Sequence, residues 1–263
     1  MIPILMALAA AAAPGGLAPL PIPRPGALAE HREETCLAQV HSAPDQAAQT
    51  AAQWRAKGGG IPALLCQGLA LTALERWPEA AAAFETAAVE AERTHDRRRA
   101  DFWVEAGNSW LGAGDSAKAR QAFDTALAAG PMPPQQEGEV HLDRARASVA
   151  AGDVAAARTD LDKGLALVPA DPFAWYLSAA LARRQNDLGR AKTDIDKAVT
   201  LAPDDAQVLL EAGNIFGLSG EVDTAKTYYQ RAIRAGAGSP AALAAARALA
   251  ANGGPPPAPT QSR

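Results

Sequence analysis

The chain of 263 residues predicts an all-α solenoid of stacked antiparallel helix pairs, and three features carry that expectation. First, the sequence repeats: residues 159–171 read TDLDKGLALVPAD and residues 193–205 read TDIDKAVTLAPDD, an offset of 34 residues. A fixed period of this length marks a helical array. Second, large and small residues alternate at helical spacing, as at Trp103, Gly107 and Trp110 or Leu209, Gly213 and Phe216, which puts one apolar stripe on each helix. Third, Gly-Asp, Asn-Asp or Gly-Glu pairs at 114–115, 152–153, 186–187 and 220–221 punctuate the helices. Glycine suits a left-handed C-terminal cap, and the acidic residue after it suits the next N-cap.

The small residues Gly107, Ala119, Ala145, Ala157, Ala179, Ala191, Gly213 and Ala225 let paired backbones approach, with larger side chains filling the space beside them. Pro131, Pro169 and Pro203 end the second helices. One helix pair cannot bury its own stripe, so the pairs must stack.

At this point the chain resembles the tetratricopeptide repeat family, whose pattern runs W-x2-L-G-x2-Y, A-x3-F, a small residue and Pro. Trp103-x2-Ala106-Gly107-x2-Trp110, Ala119-x3-Phe123, Ala126 and Pro131 follow it. The copy from Gly138 is the weakest, with His141, Arg144 and Ser148 on its first helix, but Ala157, Leu161, Gly164 and Pro169 keep the pattern. The resemblance implies a right-handed superhelix and covers residues 61–237 as five units, about 61–99, 100–137, 138–171, 172–205 and 206–238.

Taken in order, residues 1–18 are apolar and then small, and are expected to act as an export signal, although no Lys or Arg precedes Arg24. The apolar run is too short to span a bilayer, which takes about 20 residues. Residues 19–29 form a Pro-rich linker. Residues 30–60 are a degenerate helix pair broken by Gly58-Gly59-Gly60, and the second helix of the next unit is expected to run through Arg93 toward Arg99. Residues 239–251 form a capping helix behind Ser239-Pro240, and residues 252–263 a disordered tail.

Little in the sequence points to catalysis. His31, His41, His95 and His141 are scattered without metal-ligand spacing, and no nucleophile elbow, zinc-protease helix or phosphate-binding glycine loop occurs. No catalytic residue, metal or cofactor is therefore expected. Asp160/Asp162 and Asp194/Asp196 resemble carboxylate pairs, but such neighbours point about 200° apart on a helix. Each pair reads as a solvated face partnered by Lys163 or Lys197. The net charge of −4 gives no electrostatic case for nucleic acid or an anionic membrane.

Cys36 and Cys66 are the two cysteines. A 33-residue alignment of Ala47 with Ala80 places Cys66 one helical turn from the equivalent of Cys36, on the neighbouring first helix. In an exported protein the two would form a disulfide, and in a cytosolic one they would be buried thiols.

The resemblance implies that the first helices line a concave groove that holds a peptide or partner helix. Carried over by position, the inward-facing residues are Asp101, Val104, Asn108 and Leu111, then Glu139, Leu142, Arg146 and Val149. Phe173, Tyr176, Ala180, Arg183 and Arg184 follow, then Gln207, Leu210, Asn214 and Leu218. Asn108 and Asn214 match the family's frequent groove asparagine. The chaperone-binding clamp of the family needs a Lys where this chain has Val104, so that function is not carried over. Arg146, Arg183 and Arg184 beside Phe173 and Tyr176 could hold a carboxylate bidentately, or be solvated arginines. The expected function is a non-catalytic scaffold that binds a polypeptide in the periplasm. A cytosolic adaptor or co-chaperone, and an envelope assembly subunit with no groove ligand, remain open.

Overall fold

The computed structural model describes residues 27–251, so the expected signal segment, residues 19–26 of the linker and the tail from 252 lie outside the described residues. Thirteen helices and no strand occur among those described. They pair as α1 (Ala27–Ser42) with α2 (Pro44–Ala56), α3 (Gly60–Ala73) with α4 (Trp77–Thr94), and α5 (Arg99–Gly112) with α6 (Ser116–Ala128). Next come α7 (Pro134–Ala150) with α8 (Val154–Leu167), α9 (Pro172–Arg184) with α10 (Leu188–Leu201), and α11 (Ala206–Leu218) with α12 (Val222–Ala235). The last helix is α13 (Pro240–Ala251). The architecture is an all-α helical repeat solenoid.

The helix ends follow from the punctuating residues. Gly114, Gly152 and Gly220 have φ near +80°, and Asn186 has φ of 60°, the left-handed geometry of a helix C-terminus. The acidic residue then caps the next helix: Asp115 accepts from the Lys118 amide at 3.1 Å, Asp153 from Ala156 at 3.1 Å and Asp187 from Arg190 at 3.0 Å. Glu221 departs from this pattern. It makes no capping bond and instead meets Lys192 Nζ at 3.1 Å. Two boundaries also differ from expectation. Helix α1 already includes Ala27–Ala29, good helix formers just past Pro25-Gly26. Helix α4 stops at Thr94, because His95 turns left-handed and Asp96 captures the Arg98 amide at 2.9 Å.

Packing within a pair depends on a notch. A Cβ on Gly107 would come within 2.6 Å of the Phe123 ring, and one on Gly68 within 2.5 Å of the Phe84 ring, so each ring sits directly against the opposing backbone. The rest of the core is alanine: Ala80, Ala87, Ala119, Ala126, Ala157, Ala179, Ala191, Ala198 and Ala232 are all fully buried. At the N-terminal end, a disulfide joins Cys36 to Cys66 with a Cα–Cα distance of 6.1 Å, tying α1 to α3.

The aspartates of the repeated motif correct the expectation of a solvated face. Asp160 and Asp194 are buried, 4% and 5% exposed. Arg144 holds Asp160 with two bonds, Nε at 2.9 Å and Nη2 at 2.6 Å, and His141 Nδ1 lies 2.9 Å from the same carboxylate. Ser178 and Arg190 hold Asp194. Lys163 and Lys197 are partners of neither. Each aspartate therefore ties its helix to the preceding one, which accounts for the polar residues in the weak copy from Gly138.

Helix proximities define the curvature. Odd-numbered helices touch the next odd-numbered helix at α1–α3, α5–α7, α7–α9, α9–α11 and α11–α13, and no two even-numbered helices approach comparably among the described residues. The odd helices thus line the inner wall.

Candidate functional site

The inner wall of α7 and α9 holds a cavity of about 190 Å³ lined by Arg146, Val149, Tyr176, Ala180, Leu181 and Arg184, among others. A second cavity of about 540 Å³ adjoins it across Tyr176. Gln207, Leu210 and Glu211 of α11 line this one, and Ser239, Pro240 and Ala241 at the start of α13 close it. Tyr176 is thus the shared wall. Its hydroxyl accepts from Gln207 Nε2 at 2.9 Å, and its ring stacks on Phe173 with centroids 6.0 Å apart. Phe173 remains 41% exposed, a large aromatic surface open on the groove.

The three arginines expected here have separate fates. Arg184 is exposed at the rim of the smaller cavity and makes no hydrogen bond or ion pair among the described residues. Arg146 is 45% exposed and pairs with Asp143 through Nη1 at 2.7 Å. Arg183 is not available to a ligand, because its Nε and Nη2 grip Glu211 at 2.6 and 3.3 Å. Glu211 is 6% exposed, and a carboxylate buried that far needs its cation.

Further expected groove residues also prove to be structural. Leu142 is 2% exposed and drops into a notch where a Cβ on Gly164 would lie 2.5 Å from its Cδ2. Asn214 Nδ2 lies 3.3 Å from Glu211 Oε2, and its Oδ1 accepts from the Tyr229 hydroxyl at 3.1 Å. Asn108 bonds the Asp143 carboxylate. Asp101 stays exposed and accepts from Gln136 Nε2 at 2.5 Å. Leu210 lines the larger cavity.

An acidic wall on α5 and α7 is absent from the expected list. Burial raises the Glu105 carboxyl pKa, and Asp101 and Asp143 raise it further. Burial also raises Asp143, against hydrogen bonds from Arg146 and Asn108. The signal was present in the sequence: Glu105, Asp143 and Glu211 occupy the same repeat position, separated by 38 and 68 residues.

Among the described residues no group of His, Cys, Asp or Glu is placed to hold a metal ion. No helix there is long and apolar enough to cross a membrane.

A helical repeat solenoid with an open inner wall defines a class of interaction proteins that present a surface rather than a reaction centre. The chain belongs to the tetratricopeptide repeat family, whose model matches residues 65–132, 142–206 and 176–240. Proteins of this family generally mediate protein–protein interaction and are generally non-catalytic. Comparison with curated protein sequences gave no match. Among solved structures, the chain is similar to PilW, a widely conserved type IV pilus biogenesis factor. That likeness has a TM-score of 0.68 and 19% identity, covering 82% of this chain and 97% of that one. It is also similar to pilF of Pseudomonas aeruginosa (TM-score 0.65, 16% identity, 82% and 95% covered). A tetratricopeptide repeat protein from Parabacteroides merdae gives a TM-score of 0.62 at 16% identity, with 84% and 85% covered. At these identities the likeness shows the fold alone.

Proposed function

We propose that the protein is a non-catalytic scaffold that binds a polypeptide segment in its concave groove, and that it works in the periplasm. The observation that carries the reading is the pair of adjoining cavities that share Tyr176. They offer apolar depth beside Arg184, a cation with no structural task, and an exposed aromatic surface at Phe173. A pocket of mixed apolar lining with few convergent polar groups is what a side chain of a bound segment requires. The location is supported by the Cys36–Cys66 disulfide, which persists in oxidising compartments, and by the apolar stretch at residues 2–13.

Site-specific photocrosslinking in the host tests the groove. A photoreactive residue replacing Ala180 or Leu210 is expected to capture a polypeptide, one replacing the convex-face Thr159 is not, and Tyr176→Ala with Arg184→Ala is expected to abolish capture. Capture from Thr159 alone, or only of a second copy of this chain, would point to an assembly subunit without a groove ligand. Intact mass after alkylation without reduction tests the location. A mature chain lacking its first residues and carrying no alkyl group fits export, whereas two alkylated thiols on the full chain point to a cytosolic adaptor.

A further inference from the structure

The groove changes sign along its length. On α5 and α7 the charged groups facing it are Asp101, Glu105 and Asp143. On α7 and α9 they are Arg146 and Arg184. Glu105 is half-buried with no cation beside it. Its carboxylate is held at a cost in the field of two others, and no helix-to-helix bond offsets that cost. Arg184 is the mirror case, an unpaired guanidinium at the rim of an apolar cavity. Elsewhere in this chain, charges that face a neighbouring helix are paired, as at Arg183–Glu211 and Arg144–Asp160. Two opposite charges left unpaired on successive seams of one groove suit a partner that carries the complementary pair.

Resting on the groove reading above, we propose that the bound segment is internal to its own chain and bears a lysine or arginine over Glu105 and, about three residues away, a glutamate or aspartate over Arg184. The spacing follows from geometry. Neighbouring helix axes lie about 8–10 Å apart, so the two seams differ by that distance. An extended polyproline-type strand advances about 9 Å in three residues and returns to the same face. An internal segment fits better than a chain end because the cavity at Arg184 is not terminal: the groove continues across Tyr176 into the second cavity, as far as Ser239 and Pro240. An acidic side chain can meet Arg184 and Arg146 while the backbone runs on, and an adjacent aliphatic side chain fills the smaller cavity.

The test uses fluorescein-labelled peptides of 12 residues, blocked at both ends and made in both chain directions. Each carries lysine and glutamate three positions apart with leucine beside the glutamate, and binding to the full chain is followed by anisotropy. The tighter direction is expected to bind about tenfold more tightly than its Glu→Gln or Lys→Ala versions, the scale of one charge-assisted pair. Arg184→Ala should remove the response to Glu→Gln alone, and Glu105→Gln the response to Lys→Ala alone. Equal binding of charged and neutral peptides, still sensitive to Tyr176→Ala, would overturn the charge order and leave the groove reading intact. An unblocked C-terminus at the glutamate end binding about tenfold more tightly would overturn the internal-segment assignment. No binding of any peptide at about 1 mM would overturn the inference, while the crosslinking result would still decide the groove reading.

Discussion

Arg183 Nε donates to Glu211 Oε1 at 2.6 Å, and this contact separates the roles of two adjacent arginines on α9. Arg183 bridges α9 to α11 and neutralises a buried carboxylate, which in turn meets Asn214 and, through it, Tyr229. Arg184, one residue on, points to the groove and bonds nothing. Removing Arg183 strands Glu211, whereas removing Arg184 costs only solvation. Arg183→Ala is expected to lower unfolding stability by about 2–4 kcal/mol, the range for breaking a buried pair. Arg184→Ala should stay within about 0.5 kcal/mol of the parent. Urea denaturation distinguishes the two, and equal losses would mean the Arg183 contact carries no stability. A double charge reversal of both arginines is a poor probe of binding, because one half of it unfolds the site.

Asp160 gives the fold an acid limit. Burial pushes its carboxyl pKa up, but hydrogen bonds from His141 and Arg144 outweigh that and hold it at about 2. A folded pKa depressed below the unfolded value, about 3.9, contributes stability that is complete above pH 4 and lost as pH falls through 2. Asp160→Asn is therefore expected to destabilise by about 2 kcal/mol at pH 7, with the difference from the parent narrowing between pH 4 and 2. Thermal unfolding across that range checks it. A gap that stays constant with pH would mean the loss is steric and not a matter of charge.

The stack of helix pairs was legible because it depends on local features: a 34-residue repeat, Gly or Asn followed by an acidic cap, and a small residue opposite each ring. The groove was legible only by position, and it misled where a second residue changed the packing. Leu142 stands at an inward position, but Gly164 replaces the alanine found at Ala126 and Ala198 in other copies, opening a notch that draws Leu142 into the core. Asp160 has Lys163 three residues on, so its local pattern reads as solvated. Its actual partners His141 and Arg144 lie 19 and 16 residues earlier, beyond the reach of any single-helix periodicity. Pairing between helices depends on which side chains meet across the interface, which one helix's periodicity does not record.

The notch at Gly107 makes a sharp stability test. A Cβ there would sit 2.6 Å from Phe123 Cε1, and Phe123 is fully buried among α5 and α6 residues, so the ring has nowhere to retreat. Gly107→Ala is expected to cost about 1–3 kcal/mol despite the better helix propensity of alanine. Phe123→Leu should soften the penalty when combined with it. The double-mutant cycle by denaturant unfolding should give a coupling above about 0.5 kcal/mol. Strict additivity would mean the backbones do not depend on this contact.

The disulfide's contribution depends on what it encloses. Cys36 and Cys66 are separated by 30 residues, and closing a loop of that size stabilises by about 3–4 kcal/mol through the entropy of the unfolded chain. The closed loop contains most of α1, all of α2 and the start of α3, which form their own small core around Ala47, Ala51 and Val40. That core holds no aromatic residue, so the staple supplies much of what keeps the pair docked on the array. Cys36→Ser is therefore expected to lower the melting temperature under non-reducing conditions, to the value the parent shows with reductant. Hydrogen exchange should place the loss in residues 27–56, with α5 to α12 still protected. If the parent melts identically with and without reductant, the bond contributes nothing to stability. If exchange rises uniformly along the chain, the N-terminal pair is part of one cooperative unit rather than a separately docked cap.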